Sequence, residues 1–137
     1  MSNATPLPAT MRAIAIDRFG CPGDAACHVM ATPQPAPGEL LVQVAAAGVN
    51  PADWKALMGW LPFVGSTMPL VTGFDGAGTV VALGEGVTGI AIGDRVGFMS
   101  AIALGRGGSF AEFAVCLADH AVRLPDGLHF AVAERHP

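Results

Sequence analysis

Glycine and proline interrupt this chain so often that long helices and strands are excluded along most of it. Eighteen glycines and eleven prolines are spread over 137 residues. The stretches between them are short and rich in apolar and β-branched residues. Short strands separated by turn residues are typical of β-barrels and β-sandwiches. The sequence therefore predicts a mainly β fold.

The strands are expected where apolar residues cluster between turn signals. Residues 20–38 are predicted to be loop-rich, because Pro33, Pro35 and Pro37 alternate there and each lacks a backbone donor. Residues 60–78 are predicted to be irregular, since two prolines and four glycines lie within them. The predicted strands cover residues 11–16, 38–48, 79–83, the segment fed by the turn at 93–97, 109–115 and 121–124.

One short helix is predicted directly after Asn50. The Asn50 side chain can cap a helix, Pro51 suits the first helical position, and Asp53 lies in the first turn, where a carboxylate is favoured. The helix is expected to run to about Met58, with Gly59 ending it.

The apolar content is high for a chain with so few charges. Hydrophobic residues make up 52% of the sequence and charged residues 13%, whereas about 25% charged residues is ordinary. A membrane-spanning helix needs about 20 successive apolar residues, and the best run, Leu40 to Val49, is broken by Gln43. We therefore expect no membrane association, but a surface covered by a second domain or by another subunit, as in a homodimer.

Charge and cysteine content narrow the function classes further. The net charge is −4 and no basic cluster stands out, which argues against nucleic acid as a partner. Three cysteines, an odd number without a signal peptide, indicate a reduced, cytoplasmic location. The first ten residues are polar and contain prolines, so 1–10 is predicted to be a flexible tail.

Cys21, Cys27 and His28 are the residues that could form a thiolate–imidazole metal site. No fourth ligand accompanies them, so we interpret them as a small buried cysteine and a loop histidine. The other histidines have no sequence partners that suggest a proton relay. They are interpreted as surface or loop residues: His120, His129 and His136.

Several segments line up in order along the chain. They are Met11-Arg12-Ala13-Ile14, the run from Pro37 to Val44, Gly48-Val49-Asn50-Pro51-Ala52-Asp53-Trp54-Lys55, the run from Gly73 to Val80, the turns at 84–87 and 93–96, the run from Gly108 to Phe113, and the run from Leu124 to Leu128. In this order they resemble the N-terminal GroES-like domain of the medium-chain dehydrogenase/reductase superfamily. The resemblance implies a partly open β-barrel with one or two short helices over residues 11–130.

Two of these segments point to a branch of the superfamily. Where zinc-dependent members carry a ligand cysteine, this chain has Asn50, and in place of their His-Glu pair it has Asp75-Gly76. The family's structural zinc lobe also needs four cysteines, and none lies between Gly97 and Ser109. The chain therefore resembles the zinc-independent, quinone oxidoreductase-like branch, and we expect no metal.

The resemblance implies an NADPH-dependent reductase that transfers hydride to a quinone or an enone (alkene) without a metal. It implies that Lys55 is catalytic, by steadying negative charge on the substrate or cofactor. It implies that the cofactor is bound by Asn50, Pro51, Asp53 and Trp54. The alternative reading of the same residues is an N-cap, a first-turn carboxylate, a core tryptophan and a solvated lysine.

The family continues into a Rossmann domain that binds the nucleotide, and we expect that domain to be missing here. Residues 131–137 are interpreted as the truncated start of the inter-domain connection. Gly73, Gly76 and Gly78 do not form a phosphate cradle, because a strand follows them rather than a helix. We therefore expect tight NADPH binding only with the missing domain, and no turnover from the chain alone.

A non-enzymatic reading is also open. A free GroES-like barrel can act as an assembly module, which needs a mobile hydrophobic loop and a ring interface. The apolar segment 60–72 is the candidate for that loop, although it coincides with the family's substrate loop.

Overall fold

The computed structural model describes residues 6–20, 22–62 and 67–133, and over these residues the chain forms two antiparallel sheets with short helices. The predicted mainly β class is confirmed, and the two sheets do not close into a complete barrel. The strands are β1 (Thr10–Ile16), β2 (Ala26–Ala31), β3 (Glu39–Ala47), β4 (Leu70–Val71), β5 (Asp75–Leu83), β6 (Arg95–Met99), β7 (Phe113–Leu117) and β8 (Ala121–Arg123). The helices are α1 (Pro51–Leu57) and α2 (Phe130–Ala133), and 3₁₀ turns lie at Pro22–Asp24, Ala101–Leu104 and Ala118–His120.

The smaller sheet has the order β2-β1-β4, and the larger one has the order β7-β3-β5-β6-β8. An isolated bridge between Ala13 and Ala111 links β1 to the segment before β7. In the larger sheet β3 is paired on both sides, with β5 and with β7. This central position explains why the start of β3 reads as a continuous apolar run rather than as an alternation of apolar and polar residues.

The start of β3 is buried on both faces of the larger sheet. Leu41 packs in one cluster with residues of β1, β4 and β7. Its neighbours Leu40 and Val42 point to the other face and pack against Val80, Val96 and other residues of β5, β6 and β7. One layer of core therefore lies on each face of this strand.

A third, smaller cluster anchors α1. Ala56 from α1 packs against Ile16, Leu70 and Ile102. Leu70 and Val71 are both buried, so the end of the apolar segment 60–72 is part of the core and is not a mobile loop. Residues 63–66 of that segment lie outside the described residues.

The sequence prediction differs from the structure in several places. Strand β2 lies inside the region predicted to be loop, because its register with β1 stabilises a segment of low strand propensity. Strand β5 begins at Asp75, four residues before the predicted start, because glycines allow it to run close beside β3. Strand β7 begins at Phe113, since the N–H groups of Ser109 and Phe110 donate instead to the carbonyls of Gly73 and Thr72, just before β5.

The N-terminal boundary also lies slightly earlier than expected. Thr10, the last residue of the predicted tail, is the first residue of β1, and Leu7 packs against the core. The predicted connection at 131–137 is described only to residue 133, where α2 ends. Within the described ranges, none of the helices is both long and apolar enough to cross a membrane.

Candidate functional site

Helix α1 carries most of the predicted site residues and begins where the sequence places it. Asn50 is the N-cap, with extended backbone angles, and Pro51 is the first helical residue. Asp53 and Ala56 lie three residues apart and are both buried, so they form the face that packs on the core. Trp54 and Lys55 are exposed, so they lie on the remaining surface of the helix.

Asn50 connects two carboxylates that are distant in sequence. Its backbone N–H donates to Asp53 Oδ2 at 2.6 Å, and its side-chain Nδ2 donates to Asp75 Oδ1 at 3.3 Å. The backbone carbonyl of Asn50 accepts from the N–H of Asp53 at 2.9 Å. The structure therefore brings Asn50, Asp53 and Asp75 together, and we call these three residues the Asn50 cluster.

Asp53 is the most deeply buried member of this cluster, at 4% exposed. Burial raises the pKa of its carboxyl above the ordinary value, and the nearby negative charge of Asp75 raises it further. Backbone N–H groups of Asn50, Phe74 and Gly73 act in the opposite direction, because they favour the charged form. The Oδ1 atom of Asp53 is buried and lacks a hydrogen bond of ordinary geometry.

Buried serines fix the segment that carries Asp75. Ser109 Oγ donates to the carbonyl of Asp75 at 2.7 Å, and Ser100 Oγ donates to the carbonyl of Gly73 at 2.6 Å. Gly73 has φ of 109°, and a Cβ there would overlap the Ser109 hydroxyl. Only glycine therefore fits at position 73, where residues 72–75 pack directly against residues 108–110.

Trp54 forms an aromatic pair on the exposed side of α1. Its ring centroid lies 5.1 Å from that of Trp60, and the planes meet at 71°, an edge-to-face arrangement. Trp54 is 47% exposed and Trp60 is 57% exposed, so the alternative reading of Trp54 as a core residue is wrong. The pair presents an apolar, aromatic surface on the exposed side of α1.

Lys55 is not brought to the Asn50 cluster by the helix. It follows Asp53 by two residues, and residues at that spacing project from opposite sides of a helix. Lys55 is exposed, whereas Asp53 is buried. Its catalytic role stays a prediction that depends on a ligand lying over the exposed side of α1.

A surface groove begins at Asp75 and runs across β6 and β8. Its apolar wall includes Met99 and Val122, which are 50% and 70% exposed. His120 lies in the same groove and is exposed, as predicted for a surface histidine. The groove places an imidazole and a carboxylate along one open surface.

The other histidine and cysteine candidates have different surroundings. Cys27 and His28 lie on β2, so the expectation of a buried cysteine and a loop histidine is wrong: Cys27 is exposed on a strand. Successive strand residues point to opposite faces, which separates the two as ligands. His28 Nδ1 donates to the carbonyl of Ala26, and its Nε2 lies 3.4 Å from Asp17. Cys21 and His136 lie outside the described residues, and His129 is exposed.

Over the described residues, acidic, cysteine and histidine side chains form no group of three able to hold a metal.

Gly76 and Gly78 lie in strand β5 and Gly73 lies just before it, whereas the sequence predicted an irregular segment there, followed by a strand. A Cβ at Gly78 would overlap the carbonyl oxygen of Gln43 on β3, and a Cβ at Gly76 would lie 2.8 Å from the Phe98 ring. These glycines therefore allow close packing between strands. They are not followed by a helix and do not form a phosphate-binding loop.

Sequence reasoning identified Asn50 and Asp53 but missed the contacts that complete the cluster. Asp75 was noted only as a replacement for a metal ligand, and Ser109 was assigned to a strand. Asp75 contacts Asn50 across 25 residues and is held by Ser109 from 34 residues away. The glycines flanking Asp75 are the sequence signal of this close packing, because they mark positions where a side chain cannot fit.

The chain matches the model of the alcohol dehydrogenase GroES-like domain over residues 36–126. Trans-enoyl reductase fsr4 of Gibberella fujikuroi is 39% identical over 107 residues, which cover 75% of this chain and 30% of the relative. The chloroplastic quinone-oxidoreductase homolog of Spinacia oleracea is 38% identical over 117 residues, which cover 84% of this chain and 35% of the relative. The chain thus spans about a third of the length of these two relatives.

A solved structure agrees with these sequence matches. The native structure of mycobacterial Rv1454c complexed with NADPH has a TM-score of 0.78 and 34% sequence identity to this chain. The match covers 90% of this chain and 35% of that one. On the family model, the relatives and the fold together, this chain belongs to the alcohol dehydrogenase GroES-like domain family, within the medium-chain dehydrogenase/reductase superfamily of oxidoreductases.

Proposed function

We propose that this chain is the substrate-side domain of a zinc-independent reductase that transfers hydride from NADPH to a quinone or an enone. The observation that carries the proposal is the hydrogen bond between Asn50 Nδ2 and Asp75 Oδ1. These residues stand at or beside the positions where zinc-dependent relatives hold their metal. In this chain the side chains of Asn50 and Asp75 are hydrogen-bonded to each other.

The chemistry of the side chains supports the absence of a zinc requirement. A catalytic zinc is held by three protein ligands drawn from thiolates, imidazoles and carboxylates. Asn50 supplies an amide in place of a thiolate, and its nitrogen points at Asp75 as a donor. A donor N–H has no lone pair to offer a cation, so Asn50 in this orientation is unsuited to bind zinc.

The residues around α1 fit the nicotinamide end of NADPH better than its phosphates. The amide of Asn50 can hydrogen-bond to a ribose or carboxamide, and the exposed Trp54–Trp60 pair offers a flat apolar surface. By contrast, Gly76 and Gly78 of the glycine run lie inside strand β5, where no helix follows to bind a pyrophosphate. We therefore propose that tight cofactor binding and turnover need a nucleotide-binding domain, and that the 137 residues alone have no turnover.

Each residue of the proposed site has a physical role. When bound, NADPH supplies the hydride, so the protein contributes position and electrostatics. Asn50 binds the cofactor, Pro51 and Asp53 fix the turn that presents Asn50, and Trp54 forms a wall that excludes water. Lys55 on the exposed side steadies negative charge that develops on the substrate oxygen.

Both acceptor classes are kept in the proposal, because one relative is named a trans-enoyl reductase and another a quinone-oxidoreductase homolog. The choice of NADPH is supported by the similar structure complexed with NADPH. A cytoplasmic location is part of the same proposal, and the free thiols of Cys27 and Cys116 agree with a reducing compartment.

The proposal is tested by titrating the chain with NADPH and following the fluorescence of Trp54 and Trp60. We expect weak, saturable quenching that Asn50→Ala weakens and that added zinc does not change. The matched control is Gln43→Ala, which removes an exposed amide from β3 and leaves the helix unchanged. Equal quenching in Asn50→Ala and the wild type would refute the assignment of Asn50 to the cofactor.

A further inference from the structure

The donor groups of Asn50 are directed at carboxylates. Its backbone N–H is held by Asp53 Oδ2 at 2.6 Å, and its side-chain Nδ2 faces Asp75 Oδ1 at 3.3 Å. An ionised carboxylate only accepts hydrogen bonds. Of the two ends of the Asn50 side-chain amide, the nitrogen must therefore be the one that faces Asp75.

This arrangement settles which end of the amide a ligand meets. The oxygen and nitrogen of an asparagine amide have nearly the same shape, and their positions are decided by hydrogen-bond partners. With Nδ2 turned toward Asp75, Oδ1 is directed away from that carboxylate. In the capping box at the start of α1, Oδ1 faces the backbone N–H of Asp53. An amide oxygen has two lone pairs and Asn50 is only partly buried, so Oδ1 can accept a second hydrogen bond from a ligand.

Asp75 is itself held in place from two other elements. Its backbone carbonyl accepts from Ser109 Oγ at 2.7 Å and from the N–H of Gly48 at 3.4 Å. It is also paired with Met99 at the end of the β5–β6 ladder. Ser109 is 1% exposed, so this support comes from the core and not from a mobile surface.

We propose that Asp75 is a positioning residue, which orients the Asn50 amide so that Oδ1 accepts a hydrogen bond from a hydroxyl or carboxamide N–H of the nicotinamide–ribose end of the cofactor. Asp75 does not touch the cofactor in this arrangement and acts only through Asn50. The proposal rests on the proposed function for the identity of the ligand. The orientation of the amide does not depend on that function.

The orientation can be measured by NMR on the ¹⁵N-labelled chain without any ligand. The sequence contains four side-chain amides, those of Asn3, Asn50, Gln34 and Gln43, so the Asn50 signals are readily assigned from an Asn50→Ala spectrum. At pH 7 we expect one Asn50 amide proton to be shifted downfield and to exchange slowly with solvent. In Asp75→Asn it should exchange as fast as the exposed amide of Gln43, because an amide at position 75 no longer dictates the orientation.

The control for that spectrum is Asp126→Asn, which removes one negative charge from an exposed turn. It should leave the Asn50 signals unchanged. If Asp75→Asn also leaves them unchanged, the positioning role is overturned. If Asp75→Asn fails to fold, Asp75→Glu is the second variant, because it keeps a carboxylate at the position. We expect the Asn50 amide proton to exchange slowly in Asp75→Glu. Fast exchange in a folded Asp75→Glu chain would count against the proposal.

NADPH titration of the single and double variants tests the second half of the proposal. We expect Asn50→Ala and Asp75→Asn each to raise the dissociation constant about three- to tenfold, the effect of one hydrogen bond. The double variant should be no weaker than Asn50→Ala, because Asp75 acts through Asn50. A further loss in the double variant would overturn the proposal. No NADPH response in the wild type would instead overturn the assignment of the cofactor to this chain, and the NMR result would still decide the orientation.

Discussion

The guanidinium of Arg106 lies 2.9 Å from the carboxylate of Glu39, which is almost completely buried. Two nitrogens of Arg106 contact the two oxygens of Glu39, and the N–H of Ala36 donates to the same carboxylate at 2.8 Å. Arg106 also donates to the carbonyl of Gln34. One arginine thus neutralises the buried charge at the start of β3 and ties the preceding turn to it.

Removal of the arginine leaves an uncompensated buried carboxylate. We expect Arg106→Gln to lower the free energy of unfolding by roughly 3 kcal/mol, since the loss of one partner of a buried pair is strongly destabilising. Arg12→Gln is the control, because its pair with Glu112 is exposed on both sides and is expected to contribute about 1 kcal/mol or less. Urea unfolding of both variants provides the measurement, and equal losses would contradict the prediction.

Asp53 predicts a pH dependence of stability with a definite sign. Burial raises its pKa in the folded state above 3.8, so the folded chain binds this proton more tightly than the unfolded chain. The contribution of Asp53 to stability is therefore greatest at low pH and is lost as the pH rises through the raised pKa.

The test is the difference in unfolding free energy between the wild type and Asp53→Asn, measured from pH 4 to pH 7. We expect this difference to become less favourable to the wild type as the pH rises, because the variant lacks the titrating group. Arg12 lowers the pKa of Glu112, so the contribution of Glu112 to stability changes with pH in the opposite direction. Glu112 is present in both proteins, so its contribution cancels from the difference. A difference that does not change with pH, or that moves the other way, would contradict the prediction.

The two described thiols should differ in reactivity. Cys116 is fully buried, and burial together with the negative charge of Glu39 raises its pKa to about 12. Since the thiolate is the reactive form, Cys116 should resist a disulfide reagent at pH 8 until the chain unfolds, whereas the exposed Cys27 should react. A Cys21→Ser background leaves these two thiols for the assay, and rapid native labelling that persists in Cys27→Ser would show the prediction to be wrong.

The close approach of β5 to β3 predicts a large effect from one methyl group. A Cβ at Gly78 would overlap the backbone carbonyl of Gln43 and lie 2.9 Å from the Val42 side chain. We expect Gly78→Ala to destabilise the chain by about 2 kcal/mol or more, because the strands must separate. Gly23→Ala is the matched control, since a Cβ there meets open space, and it should change thermal or urea stability by less than about 0.5 kcal/mol.

Local signals explain what the sequence predicted well. The start of α1 at Asn50 and Pro51 and its end before Gly59 follow from residues within the helix itself. The turn at Gly93 and the last strand at Ala121 are likewise bounded by nearby turn residues. These elements agree with the prediction because their boundaries depend on backbone conformation close in sequence.

The elements and contacts that were missed depend on partners far along the chain. Strand β2 is stabilised by its register with β1, in which Val29 pairs with Arg12, and its own residues have weak strand propensity. The bond from Asn50 to Asp75 depends on the position of β5, and that position in turn depends on glycines read as breakers. Spacing alone does not reveal such contacts, because they arise only when strands that are distant in sequence pair within a sheet.

The central place of β3 in the larger sheet has a consequence for synthesis of the chain on the ribosome. One edge of β3 pairs with β5, whereas its other edge stays unpaired until β7 has been synthesised. Strand β7 ends roughly 70 residues after the end of β3. At ordinary elongation rates this interval lasts on the order of 4 to 14 seconds. During that time the apolar strand exposes an open hydrogen-bonding edge that neighbouring chains can pair with. Arrival of the late strand β7 therefore both completes the sheet and ends the period in which the nascent chain is most prone to aggregate.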